Sequence, residues 1–414
     1  MNIRKTAVIR ALILLVAVVM LFAGCGASAS ENAKIMLKVW APANQIEKGT
    51  MDKMCEAFKQ QHPEWQVTFT NEIVGEDKAR DEILKDVSAA GDVYFFANDQ
   101  IEDLQRAGAI AIVSDATEKM VRDTMPATVV DTVIVDGKCY GIPFTHNTFF
   151  MYYDKSLLNE NDIGSLESII SKNTPDGVYN FLFDAAGGWK GGAFYYGAGL
   201  TIYGKDQVSY SEGCNWNNPT GIAVTKYLID LMANPRCVNA DDYKPEELAS
   251  DHRLGAWFDG AWNYDSYKQV LGDDLGVAAL PTFNPDGNTY QLKGFYGSKA
   301  IGINAQTKFM EQALAFATFL GSKDMQILRF EESAQIPTNI EAGKSDAVMA
   351  NEIAVVTMKE AEIASVMQPT NANFGKYYWE NATALFTELK SGAINHDNVK
   401  EKMDTFCKAL AVAE

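Results

Sequence analysis

Leu37-Lys38-Val39-Trp40, Val67-Thr68-Phe69 and Asp92-Val93-Tyr94-Phe95-Phe96 are three short apolar and aromatic runs, and what separates them decides the fold. Between the first two, Met51, Met54, Cys55 and Phe58 recur at i, i+3, i+4 and i+7, which predicts a helix with one apolar stripe, ended by Pro63. Between the second and third, Ile83, Leu84 and Val87 predict another amphipathic helix over 78–89. Strand, helix, strand, helix, strand is the pattern of a parallel sheet with right-handed crossovers.

Downstream the pattern changes. Val133-Ile134-Val135 and Lys138-Cys139-Tyr140-Gly141-Ile142 flank Asp136-Gly137, the pair favoured at a type I′ hairpin turn. Pro143 follows, and Phe149-Phe150-Met151-Tyr152-Tyr153 predicts a further strand. A second α/β region runs to about residue 282, with a helix over Ile222–Ala233 and a strand over Gly276–Leu280. Then come a strand at Ala300–Ile303, helices at Phe309–Leu320 and Met325–Phe330, and a mainly helical tail. No internal repeat is visible. Two α/β lobes joined by more than one crossover fit this order better than one large sheet.

At 414 residues the chain has room for two or three folding units. Apolar residues make up 47% and charged residues 22%, which is globular usage and excludes a disordered or polytopic membrane chain. Its 54 acidic against 36 basic residues give a net charge of −18, which disfavours nucleic acid and anionic lipid as partners. Arg4, Lys5 and Arg10 precede 13 apolar residues, Ala11–Ala23, too few to span a bilayer and typical of a signal peptide. Leu21-Phe22-Ala23-Gly24-Cys25 looks like a bacterial lipobox, with Phe22 where Leu is usual, so Cys25 is the expected lipidation site. Losing residues 1–24 removes three cations and no acid, which takes the charge from −18 to −21. The expectation is a body exported and tethered to the outer face of the cytoplasmic membrane. Of the other cysteines, Cys214 and Cys237 flank a predicted helix and are a candidate pair, while Cys55, Cys139 and Cys407 are expected to serve as small core hydrophobes.

Chemistry finds little support. Gly199 to Lys205 nearly spells a phosphate loop, but Asp206 stands where a Ser or Thr hydroxyl is needed. The four histidines lack metal-ligand spacing, no GxSxG is present, and Asp241-Asp242 and Asp273-Asp274 are read as solvated turns. No cofactor and no metal are expected. What stands out instead is aromatic residues beside hydrogen-bonding ones at predicted strand ends. Trp40 sits near Asn44 and Gln45. Phe96-Ala97-Asn98-Asp99-Gln100 ends one strand, and His146-Asn147 leaves the hairpin. Trp189 lies in the Gly-rich stretch 187–192, read as a loop, Gly260-Ala261-Trp262-Asn263-Tyr264 ends another strand, and Tyr377-Tyr378-Trp379 are consecutive. Ligands of open α/β sheets bind beyond the carboxyl ends of strands. A pyranose offers C–H faces that stack on rings and hydroxyls that both donate and accept, which suits this mixture of residues.

With these blocks the chain resembles bacterial extracellular solute-binding proteins, in particular the maltose/maltodextrin-binding branch that serves ABC importers. The resemblance is collinear over about 36–410. It rests on Leu37–Trp40, Asp92–Asp99, Tyr140–Pro143 through Leu158, Phe258–Trp262, Gly276–Phe283 and Ile301–Asn304. It implies an α/β, periplasmic-binding-protein-like fold, with two lobes joined by hinge crossovers and a ligand cleft between them. The corresponding division is 1–24 signal peptide, 25–33 lipid-anchored linker, 34–144 and 285–336 N-terminal lobe, and 145–284 and 337–414 C-terminal lobe. Crossings are expected near 144–147, 282–286 and 335–340. Trp262 is similar to the family's principal stacking Trp, Trp189 and Tyr377 stand where it places other rings, Phe96 where it places a further one, and Asp99 where an acid binds hydroxyls. The resemblance departs at Gln100, where an Arg is usual, at Asn147, where a Glu is usual, and at Asn44 and Gln45, which stand for an Asp-Lys pair. The expected ligand set is Trp40, Asn44, Gln45, Phe96, Asn98, Asp99, Asn147, Trp189, Trp262, Tyr264 and Tyr377. The implied function is a monomeric, non-enzymatic lipoprotein that delivers a malto-oligosaccharide to a permease. A β-linked, xylo- or manno-type sugar, or a secreted carbohydrate-active enzyme, stays open as an alternative.

Overall fold

The computed structural model of the chain describes residues 34–184, 187–204, 209–370 and 372–411. The leader and Cys25 lie outside the described residues, and among those described no helix is long and apolar enough to cross a membrane.

The chain first lays down β1 (Ile35–Ala41), β2 (Val67–Ile73), β3 (Val93–Ala97) and β4 (Ile142–Asn147). It then builds a second sheet from β5 (Phe149–Asp154), β6 (Tyr179–Phe183), β7 (Cys237–Asn239), β8 (Leu254–Gly260) and β9 (Leu275–Ala278). It returns with β10 (Gly294–Ile303) and β11 (Ser365–Met367). The first sheet has the order β11-β10-β3-β1-β2, with β4 also paired to β10, and the second has the order β9-β5-β8-β6-β7. As the βαβ spacing demands, β1 runs parallel to both β2 and β3; β10 is antiparallel to β3. The helices used below are α1 (Ala43–Glu47), α2 (Thr50–Gln61), α3 (Gly188–Gly197), α4 (Pro219–Ala233), α5 (Tyr264–Leu271), α6 (Lys323–Ser333), α7 (Ala372–Lys390) and α8 (Val399–Ala409).

The central strands β3, β5 and β8 are covered on both faces and are buried throughout, whereas β1 and β2 alternate buried with more exposed positions. In β5, Phe149, Met151 and Tyr153 enter one core with Phe258, Trp216 and Tyr378, whereas Phe150 and Tyr152 enter another with Trp257 and Tyr267. The first lobe has its own core around Val39, Phe58, Phe95 and Phe316. The chain crosses between cores at Thr148, and again within β10 between Phe295 and Ala300, downstream of the 282–286 stretch, where Phe283 packs in the second lobe. A third crossing follows α6. There Pro337 bridges to Thr145, and the Thr338 hydroxyl donates to the Pro143 carbonyl at 3.0 Å.

The Asp136-Gly137 hairpin forms as expected, with φ of 50° and 76° at the two central residues. Three expectations are corrected. The helix foreseen over 78–89 is helical only at Ala79–Ile83, because the Asp86 carboxylate accepts the backbone N–H and hydroxyl of Ser88 and turns the chain. The 187–192 stretch is not a loop but the start of α3, and its glycines let two helices touch. A Cβ at Gly191 would fall 2.3 Å from the Phe386 ring of α7, and one at Gly188 would fall 2.6 Å from Ala382. Finally, Cys214 bonds to Cys407 on α8, while Cys237 is a free thiol. Cys214 and Cys237 flank the 15-residue α4, whose ends stand about 20 Å apart at 1.5 Å per residue, far beyond disulfide reach. Cys407 is brought to Cys214 because α8 packs on α4.

Candidate functional site

A cleft of about 610 Å³ lies between the lobes, within the usual size of a small-molecule site. Its lining gathers at the carboxyl ends of strands from both sheets. Pro42, Ala43 and Asn44 follow β1, Glu76 and Asp77 follow β2, and Ala97, Asp99 and Gln100 end or follow β3. Asn147 ends β4, Trp189 follows β6, Trp262 and Asn263 follow β8, and Gln368 follows β11. Lys299 and Trp379 complete it. Lys299 comes from mid-strand, where β10 shifts register against β4 between Lys299 and Ala300; such a bulge re-aims a side chain.

The second-lobe wall is aromatic. Trp189 and Trp262 have ring centroids 5.8 Å apart, and Trp262 is 39% exposed although it is among the largest apolar side chains. Gly260 permits the Trp262 pose, since a Cβ there would meet the indole at 2.0 Å. The turn that carries Trp262 is fixed by the buried Asp259, which accepts from the Gly260 N–H and the Asn263 amide at 2.8 Å each and from the Tyr267 hydroxyl. Lys190 stands 3.9 Å from the same carboxylate.

The first-lobe wall is polar. Gln100 is buried and acts as a brace. Its amide donates to the carbonyls of Glu76 and Asp77 at 2.8 and 3.0 Å, and its oxygen accepts the Arg80 N–H at 2.8 Å. The Lys299 ammonium lies 3.5 Å from Glu76 and 5.2 Å from the centroid of Trp262, so it reaches across from one lobe to the other. Burial pushes the Asp99 carboxyl up to about 6, against the lowering effects of Arg80 and a hydrogen bond from Trp379 of the other lobe.

Of the residues singled out from sequence, Asn44, Asp99, Asn147, Trp189 and Trp262 share this cleft. The others are placed elsewhere. Phe96 points into the first core, because side chains alternate along β3 and Ala97 takes the cleft face. Asn98 is buried, with its oxygen accepting the Ser298 N–H at 3.0 Å against a glycine, Gly297, that leaves room for it. Gln45 is buried between Gln335 and Arg329. Trp40 donates to Glu72 on β2 at 2.8 Å, and Tyr264 donates to Glu352 at 3.0 Å. Tyr377 packs against the second core, and Trp379, two positions on and so on another side of α7, lines the cleft in its place. Glu76, Asp77, Lys299 and Gln368 were not foreseen; the strand-end rule applied to β2 could have found the first two, whereas the strand before Gln368 lies in a tail that reads as helical.

A groove of similar size, about 620 Å³, lies among Gln61, Thr117, Leu314 and Phe319. The residues that line it all belong to the first lobe, so a molecule held there gains nothing from lobe closure. The interlobe cleft is the better candidate. Among the described residues no cluster of side chains could hold a metal ion.

Comparison with known proteins agrees with this geometry. The family model described as bacterial extracellular solute-binding protein matches residues 53–355. A solved structure described as with acarbose is 36% identical, with a TM-score of 0.86 over 92% of this chain and 99% of that one. The maltodextrin-binding protein MdxE of Bacillus subtilis is 26% identical over 76% of this chain and 78% of its own length. A galactooligosaccharide-binding protein of the same organism is 25% identical over 84% of each.

Proposed function

Because the chain belongs to the bacterial extracellular solute-binding proteins, we propose that it is a non-enzymatic receptor that captures a malto-oligosaccharide between its lobes and passes it to an ABC permease. Cys25 would be the lipid-bearing N-terminus that keeps the receptor at the outer face of the membrane. Asn44, Asp99, Asn147, Trp189 and Trp262 are assigned to the ligand, together with Glu76, Lys299, Gln368 and Trp379.

One observation carries the reading: three indoles on one lobe, those of Trp189, Trp262 and Trp379, face carboxylates and amides on the other across a single cleft. The indoles suit the C–H face of a pyranose, and the opposite wall suits its hydroxyl rim. A sugar that touches both walls binds the closed arrangement better than the open one and shifts the population toward it by that difference. The relatives support the sugar class, and the galactooligosaccharide-binding one makes that sugar the natural competitor.

Titration calorimetry with maltotriose, cellotriose, xylotriose and a galactotriose tests this. Maltotriose is expected to bind at least tenfold more tightly than the other three, and to be recovered intact after prolonged incubation. Preference for another sugar would transfer the assignment to it, and appearance of glucose would make the protein an enzyme.

A further inference from the structure

Two side-chain acceptors of the cleft lining, Asn44 Oδ1 and Gln368 Oε1, are buried without a hydrogen-bond partner, and a third, Glu76 Oε1, accepts no hydrogen bond and has the Lys299 ammonium 3.5 Å away. Gln368 and Glu76 are only 3% and 6% exposed. The charges run the same way, since Glu76, Asp77 and Asp99 face one lining cation, Lys299. Nearby cations are engaged elsewhere. Arg80 is bound by Asp81 and Asp103, Lys78 lies out in solvent beside Asp77, and Arg329 is buried behind the wall, donating to Gln45 and to the Leu320 carbonyl. One donor of the lining is also used internally, the Asn263 amide by Asp259.

A hydroxyl brings one proton and two lone pairs, so each hydroxyl of a neutral sugar placed here can serve only one of these acceptors. An ammonium brings donors only, and carries the charge the wall lacks. Its hydrogen bonds to carboxylates are about twice as strong as neutral ones. We infer that the cleft selects an oligosaccharide bearing a protonated amine over the neutral sugar of the same size. This deepens the sugar reading and rests on it. The preference is set by Glu76 and Asp99, with the amides of Asn44 and Gln368 accepting the remaining protons.

The test is calorimetry at pH 7.5 with maltotriose and with three maltotrioses in which the 6-hydroxyl of one ring is replaced by an amine. At least one amine is expected to bind tenfold or more tightly than maltotriose. Raising salt from 50 to 300 mM should shrink that ratio, and Glu76→Gln and Asp99→Asn should each shrink it at least threefold. If maltotriose binds and every amine binds equally or less well, the inference is wrong and the sugar reading stands. If none of the four binds, the sugar reading fails and takes this inference with it. The salt arm uses the unaltered chain, so the outcome does not hang on whether the variants fold.

Discussion

Trp189 and Trp262 on one lobe face Glu76, Asp99 and Lys299 on the other, and the two walls are held in place by different means. The aromatic wall is held by shape. Gly260 lies under the Trp262 ring and Asp259 ties down the turn, so the pose of the platform is set by the protein's own contacts. The polar wall is held by hydrogen bonds, with Gln100 bracing the 76–80 segment and Asn98 pinned to β10. The difference teaches how affinity is divided. Flat rings supply burial with few rotamers to freeze, while polar groups exchange water for sugar hydroxyls at small net gain and mainly select.

The first way to break the comparison is to remove the platform. Trp262→Ala should weaken sugar binding by about 1–3 kcal/mol, the scale of burying one large aromatic face. Gly260→Ala should reproduce a good part of that loss with the tryptophan still present, because the new Cβ displaces the ring. Calorimetry on both variants, with circular dichroism to confirm folding, checks this. An unchanged affinity in Trp262→Ala would remove the stacking role.

The second addresses the polar wall. Asp99 titrates near 6, raised by burial and opposed by Arg80 and Trp379, with Asp103 adding a further upward push. A carboxylate accepts hydroxyls better than the neutral acid does, so its contribution is present above that pKa and fades as pH falls through it. Affinity for a neutral sugar should therefore rise several-fold from pH 5 to pH 7.5. Asp99→Asn should flatten that profile and cost about 1–1.5 kcal/mol at pH 7.5, the net worth of a hydrogen bond. A profile equally steep in Asp99→Asn would assign the titration to another group.

The two walls were not equally legible in the sequence. Aromatic residues beside glycine and polar neighbours announced Trp189 and Trp262, and the strand order placed both lobes. The polar wall was harder, because its side chains depend on which way a short strand end turns. Phe96 and Ala97 are adjacent, yet only Ala97 takes the cleft face, and one residue of register decides which. Lys299 could not be read at all, since the bulge that aims it leaves no mark in the alternation of β10. Trp379 against Tyr377 is the same problem on a helix, where two positions change the face. The disulfide shows it over a longer range: Cys214 has a near partner in sequence, Cys237, and a true one 193 residues away, and only helix packing decides between them.

The smallest expected effect sharpens the comparison at its rim. Lys48, just after α1 in the first lobe, places its ammonium 2.6 Å from Asp265 in α5 of the second, so this pair bridges the lobes beside the cleft. Its side chains are 42% and 61% exposed, which caps the gain at the 0.2–1 kcal/mol of roughly any solvent-screened ion pair. The lobes must meet for the pair to form, and so its energy enters ligand affinity through closure and not through contact with sugar. Lys48→Gln and Asp265→Asn should each weaken binding by less than about fivefold, with no further loss in the double variant. The effect should vanish at high salt, whereas the loss in Trp262→Ala should persist there. Losses that add in the double variant would mean that the two residues act separately, and that closure is held by the walls of the cleft alone.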